Sequence, residues 1–144
     1  MVVEIATPLL PALSAAAAHA SGSMSAAVAR ARYGLRVIEG TLPHAEVPPG
    51  SLDAVTLRMV LEHVHDPAKM LGAAFDALKP GGHLITCSCS YNINEELFLD
   101  ILSAAASDTG SSIALVERRL QSRDHPVLLG VPETSYLKAM VLRK

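Results

Sequence analysis

Apolar positions recur along this chain in two rhythms, one of period two and one of helical period. Leu35-Arg36-Val37-Ile38-Glu39 and Asp53-Ala54-Val55-Thr56-Leu57 are short, β-rich segments, which predicts strands. Val2-Val3-Glu4-Ile5 predicts another at the amino end. Met70, Leu71, Ala74, Phe75 and Leu78 instead share one helical face behind Asp66-Pro67, an N-cap followed by a proline suited to the first turn. Leu97, Phe98, Ile101, Leu102 and Ala105 repeat that spacing, with Asn94 or Asn92 as cap and Gly110 as terminator. Pro8 starts a predicted helix through the run Ala12–Ala18, and Ser23 or Ser25 caps a second over Ala26–Ala31, ended by Gly34. Pro43–Gly50 reads as a loop. Lys79-Pro80-Gly81-Gly82 stops the Asp66 helix, and a buried strand follows over Gly81–Cys87. Ile113–Glu117 and Tyr136–Leu142 predict two closing strands joined by the connection Asp124–Pro132.

Alternating strands and helices followed by two strands predict an α/β fold. Its sheet is mostly parallel, covered on both faces, and ends in a hairpin-like pair. The 144 residues fit a single domain over 1–144. With 50% hydrophobic and 18% charged residues, the composition excludes a disordered chain. A formal net charge of −2 gives the whole chain no electrostatic pull on nucleic acid. The carboxyl end is locally basic, with Arg118, Arg119, Arg123, Lys138, Arg143 and Lys144 against Glu117, Asp124 and Glu133; this reads as solvated surface. Met1–Ala20 is mostly apolar and ends in Ala18-His19-Ala20. Glu4, Pro8, Pro11 and the lack of an early positive residue argue against both a signal peptide and a membrane span.

Two cysteines one residue apart cannot easily bridge within a strand, so the thiols are expected to stay free, in a reducing cytoplasm. Cys89 falls at the carboxyl end of its strand, where open α/β sheets hold their ligands. Cys87 lies one side-chain repeat deeper and is expected to pack in the core. Glu62, His63, His65 and Asp66 lack a second ligand group at a diagnostic spacing, so no metal site is predicted. Asp124-His125 has no nucleophile at a recognisable spacing and reads as structural or substrate-shaping.

These residues carry two family resemblances. Leu78-Lys79-Pro80-Gly81-Gly82 before a strand resembles the fifth strand of class I S-adenosylmethionine-dependent methyltransferases. From about Arg30 to Gly82, Leu35–Gly40, Gly50–Val55 and Leu61-Glu62-His63-Val64 with Asp66-Pro67 resemble the small-molecule members. From about Pro80 to Lys144 the chain resembles the cytosine-C5 methyltransferases of large-subunit ribosomal RNA. Its landmarks are Ser88-Cys89-Ser90, Glu96-Leu97-Phe98, Asp124-His125-Pro126-Val127 and Pro132-Glu133-Thr134 with Tyr136-Leu137-Lys138.

The resemblance implies a Rossmann-like class I methyltransferase sheet, mostly parallel with an antiparallel last strand and abbreviated at the amino end. It implies Cys89 as the catalytic nucleophile that adds to C6 of a flipped cytosine. It places S-adenosylmethionine against Ile5, Ala6, Thr7, Ser23, Thr41 and Arg58. Several positions depart from the pattern. Glu4–Leu9 holds no glycine where the family has a glycine-rich turn. Ser23 and Thr41 stand where acids are usual, and Arg58-Met59-Val60 stands where the RNA enzymes carry Asp-Pro-Pro. These departures predict weak or lost S-adenosylmethionine binding and little activity, with Arg58 as the positive charge beside Cys89. The acceptor is an RNA cytosine or a small molecule, and a homodimer is expected over a monomer. The alternative is a non-catalytic methyltransferase-fold scaffold or binding protein. The change of likeness near Gly81 also fits a chain engineered or recombined from two methyltransferase parents.

Overall fold

Seven segments take up extended backbone in the computed structural model, which describes residues 2–6, 15–19, 27, 31–32 and 36–144. They are β1 (Val2–Ala6), β2 (Ala15–His19), β3 (Arg36–Glu39), β4 (Leu52–Arg58), β5 (Leu78–Ser88), β6 (Ala114–Arg119) and β7 (Lys138–Arg143). All seven join one sheet in the order β3-β1-β2-β4-β5-β7-β6. The pairs β2–β4 and β4–β5 are parallel, whereas β7 runs antiparallel to both β5 and β6. The last strand is therefore antiparallel, as expected, while the described sheet as a whole is mixed, with two parallel pairs and four antiparallel ones, within a Rossmann-like α/β fold.

Two parts of the amino-terminal reading need correction. The predicted Ala12–Ala18 helix is a strand over Ala15–His19, paired with β1 on one side and β4 on the other. Alanine is the strongest helix former, but intrinsic propensity is worth little per residue, and a strand with a partner on each side overrides it. The first strand is also reversed, since β1 runs antiparallel to both β2 and β3. In the second predicted helix, Ala27, Ala31 and Arg32 are helical. Pro8, Ala12, Ser23, Ser25, Ala26 and Gly34 lie outside the described residues.

Two helices cover one face of the carboxyl-terminal strands. α1 (Pro67–Ala77) starts at Asp66, whose side chain accepts from the Lys69 N–H (2.9 Å). Asn94 caps α2 (Glu95–Asp108) in the same way, accepting from the Leu97 N–H at 2.8 Å. Phe75 and Phe98 are fully buried with Leu71, Leu84 and Met140. Each such side chain contributes about 1.5–3 kcal/mol by leaving water.

Along β5, Leu84, Thr86 and Ser88 are buried, while His83, Ile85 and Cys87 point to the other face and stay partly exposed. The expected core role of Cys87 is thus wrong. The strand's strict alternation gives the core-facing positions to Thr86 and Ser88.

The start of β5 shows why its two glycines are there. α1 ends at Ala77, two residues before the predicted stop, and Leu78 already pairs with Leu52. Gly81 has φ +83, a conformation L side chains rarely adopt. A Cβ on Gly82 would stand 2.9 Å from the Lys79 carbonyl oxygen and 3.1 Å from that of Asp53. Lys79 Nζ meets both carboxylate oxygens of Asp53, at 2.9 and 2.8 Å. Lys144 Nζ donates to the carbonyls of Phe75 (2.7 Å) and Leu78 (3.1 Å), tying the residue after β7 to the junction of α1 and β5.

Candidate active site at the carboxyl rim

Sheet register decides which residues meet at the rim. Arg58 pairs with Cys87 and Ser88 pairs with Lys138, so the ends of β4 and β5 adjoin the start of β7. His19 pairs with Arg58, and Val2 pairs with both His19 and Glu39, which extends this rim to the end of β3. Thr41 follows β3 on an exposed loop. Cys89, Arg58 and Thr41 therefore belong to one rim. Ile5 and Ala6 do not. They pair with Ala16 and Ala15 at the start of β2, on the opposite edge, because β1 is reversed. Thr7 and Ser23 lie outside the described residues.

After β4 the chain bends sharply through Met59, a non-glycine residue at φ 49. Such a left-handed residue costs roughly 1–2 kcal/mol, and buried Val60 and Leu61 hold the chain down through the bend. The short 3-10 turn Leu61–His63 then carries Glu62 under the end of β5. One carboxylate oxygen, Glu62 Oε1, accepts from the Cys89 N–H (2.8 Å) and from the Ser88 hydroxyl (3.1 Å). Ser88 Oγ in turn accepts from the Ser90 N–H at 3.2 Å. The other oxygen, Glu62 Oε2, is buried without a hydrogen-bond partner.

From β7, Lys138 reaches the same place. Its residue is only 7% exposed, and Nζ donates to the Ser90 carbonyl at 2.6 Å. The basic carboxyl end is therefore not uniformly solvated, because one of its lysines sits against the thiol-bearing segment. Arg118 and Arg119 do remain outside, on Glu95 and Glu117.

The electrostatics follow from this packing. Burial alone would raise the Glu62 pKa. Donation from the backbone N–H groups of Glu62 and Cys89, from Ser88 and from the thiol outweighs it, and the carboxyl is held below its ordinary value. Burial pushes the Cys89 thiol up, and the Glu62 charge and hydrogen bond push it further. Burial pushes Lys138 down, against the opposing pull of Cys89 and Glu62. The charged group that governs the thiol is thus Glu62, where Arg58 was expected. The exposed Arg58 side chain leaves the sheet beside Cys87, on the face away from Ser88.

Sequence reading missed both Glu62 and Lys138. Glu62 was weighed for metal binding and as part of a family likeness, and Lys138 among surface charges and as a landmark, and neither was given a role at the site. The one available signal was the phase of β7, in which Lys138, Met140 and Leu142 share the buried face. Among the described residues no group of three or more His, Cys, Asp or Glu converges on a metal position.

This arrangement presents a thiol, a carboxylate with one open oxygen and a buried cation at the rim of a mixed sheet. Comparison with known proteins gives it a family context. A family model described as a methyltransferase domain matches residues 10–117. The ribosomal RNA large subunit methyltransferase I of Tolumonas auensis is 44% identical over 70 residues, covering 49% of this chain and 18% of that protein. Its namesake in Shewanella amazonensis matches with the same identity and coverage. The chain thus spans about a fifth of the length of these relatives. An S-adenosylmethionine-dependent methyltransferase structure from Thermotoga maritima covers 83% of this chain and 68% of its own, at TM-score 0.59 and 17% identity. One from Mesorhizobium loti covers 81% and 75%, at 0.54 and 15%. At such identities the structures establish a shared fold.

Proposed function

The chain belongs to the methyltransferase domain family, and on that premise we propose that it is an S-adenosylmethionine-dependent methyltransferase acting on a cytosine of ribosomal RNA, with Cys89 as nucleophile. The observation that carries this reading is the position of Cys89. The thiol follows the last residue of β5, at the ligand-binding rim of the sheet, within a chain half of which matches ribosomal RNA methyltransferases. Cytosine C5 is a weak nucleophile, and addition of a thiolate at C6 turns it into an enamine-like carbon that accepts a methyl group. The bound cofactor would supply that methyl group. The chain's own part is to place the thiol, hold its proton and stabilise charge beside it.

The described residues proposed to meet the cofactor are divided between the two rims of the sheet. Thr41 and Arg58 stand on the correct rim, Ile5 and Ala6 on the opposite one, and the Arg58 cation opposes a sulfonium. This supports the reading that S-adenosylmethionine binds weakly. Isothermal titration should give a dissociation constant above about 100 μM, and one of order micromolar would overturn that point. The acceptor is tested by incorporation of labelled methyl into large-subunit ribosomal RNA, with a cytosine-free transcript as control. Label in both would sink the cytosine assignment, and label in neither would sink the activity.

A homodimer also belongs to this reading, supported by exposed Leu128, Leu129 and Val131 in the connection between β6 and β7. Light scattering that returns a clean 15.2 kDa species would refute it. Cytoplasmic location is proposed with the ribosomal substrate; no helix among the described residues is long and apolar enough to cross a membrane.

A further inference from the structure

The carboxylate beside Cys89 is fixed on one side and open on the other. Cys89 N–H and Ser88 Oγ–H both occupy Glu62 Oε1, which locks the carboxylate in place. Glu62 Oε2 stays buried and unpartnered, a condition that disfavours the site unless something donates to it. The strained Met59 bend and the buried Val60 and Leu61 hold the turn in this position.

We propose that Glu62 is a catalytic proton carrier that holds Cys89 as a thiol at rest and carries its proton when the sulfur adds to a base. The proposal rests on the reading of Cys89 as nucleophile. Glu62 lies where no acid of the matching RNA-enzyme motif was expected, four residues beyond Arg58. The titratable groups that face the thiol are Glu62 from the turn, Lys138 from β7 and Cys87 from its own strand. A negative neighbour opposes the thiolate, so proton and charge must leave together.

The step balances within the site. The S–H bond breaks as an O–H bond forms at Glu62. The sulfur pair makes the S–C6 bond, the C5=C6 pair shifts to C4–C5, and the C4=N3 pair takes the proton from Glu62. The carboxylate is regenerated. Once C5 carries a methyl group, which a bound cofactor would supply, the regenerated Glu62 carboxylate takes the C5 proton and the C5–H pair re-forms C5=C6. The C6–S bond breaks with its pair on sulfur, and the N3 proton returns to that sulfur. Lys138, held on the Ser90 carbonyl, offsets negative charge on sulfur or Glu62 throughout.

The resting half of this role is tested without RNA or cofactor. Iodoacetamide alkylation of a Cys87→Ser protein, followed against pH, reports the Cys89 thiolate alone. The midpoint should lie above that of an ordinary free cysteine. Glu62→Gln should accelerate alkylation at pH 8 by up to about tenfold, the equivalent of one pKa unit. The same variant should slow methyl transfer to ribosomal RNA at least about tenfold, and Glu62→Asp should restore part of it. Faster alkylation with slower transfer is an outcome a merely structural role would not produce. An unchanged alkylation profile in Glu62→Gln overturns the proposal. Should that variant not fold, as judged by circular dichroism, Lys138→Met serves instead. It should slow alkylation several-fold at pH 8, and no change would overturn the proposal equally. Methyl transfer that survives Cys89→Ala defeats the nucleophile reading, while the alkylation profile still reports the Glu62 contact.

Discussion

The two ends of β5 carry similar groups put to different uses. At its start, Lys79 is paired with both oxygens of Asp53, and Lys144 donates to the carbonyls of Phe75 and Leu78 where α1 meets β5. At its end, Glu62 leaves one oxygen without a partner, the thiol is pushed up and Lys138 is pushed down. Lys144 and Lys138 flank the two ends of the same strand, and each donates to backbone carbonyls. Only the second faces groups whose protonation it can alter. Fully partnered charge contributes order, whereas under-satisfied polar groups gathered at a ligand-binding rim contribute reactivity.

The largest expected effect would separate the thiols at the end of the strand. Cys89→Ala should reduce methyl transfer to cytosine-containing RNA by at least about a hundredfold, as loss of a nucleophile does elsewhere, while Cys87→Ala keeps most of it. Equal losses would erase the distinction between the two cysteines.

The next change belongs to the start of the strand. Gly82→Ala drives a Cβ against two backbone oxygens, which cannot yield as a flexible side chain would. It should cost about 1–3 kcal/mol, read as a lower urea midpoint with an unchanged slope. A wild-type midpoint would show that the β5 start is more pliant than its packing indicates.

Smaller still is the Lys79–Asp53 pair, whose side chains are 40% and 25% exposed. Lys79→Met should destabilise by less than about 1 kcal/mol, with an effect that shrinks in high salt.

The last prediction concerns acid. Glu62 has a lowered carboxyl pKa in the folded protein, so it contributes stability above the unfolded value. That contribution is lost as pH falls through the folded value, below the ordinary glutamate range. Glu62→Gln should therefore flatten the acid limb of a stability profile slightly. An unaltered limb would mean that the hydrogen bonds to Glu62 Oε1 do not favour the charged form.

Much of the carboxyl-terminal fold was legible because its signals are local. Asp66-Pro67 and Asn94 start helices where capping chemistry places them, and Phe75 and Phe98 fall on buried helical faces. Gly81 and Gly82 mark a turn that needs a positive φ and a close backbone approach. The alanine run was misread because short apolar segments carry no decisive period, and its strand state depends on partners on both sides. Cys87 was misassigned for a related reason. Two cysteines at i and i+2 share a side, but only the neighbouring layers determine which side is buried.

The sequence by itself determined the alternation of strands and helices from β4 to β6, the caps, the turn before β5 and the arrival of Cys89 at a strand end. These depend on residues within a few positions of one another, where backbone stereochemistry and side-chain period act directly. Tertiary structure alone decided that β1 is reversed, which takes Ile5 and Ala6 to the far edge. It also decided that Glu62 lies against Cys89, 27 residues on, and that Lys138 reaches Ser90 across 48. Such contacts exist only once hydrogen-bond register has aligned β4, β5 and β7, because register converts distance along the chain into distance in space.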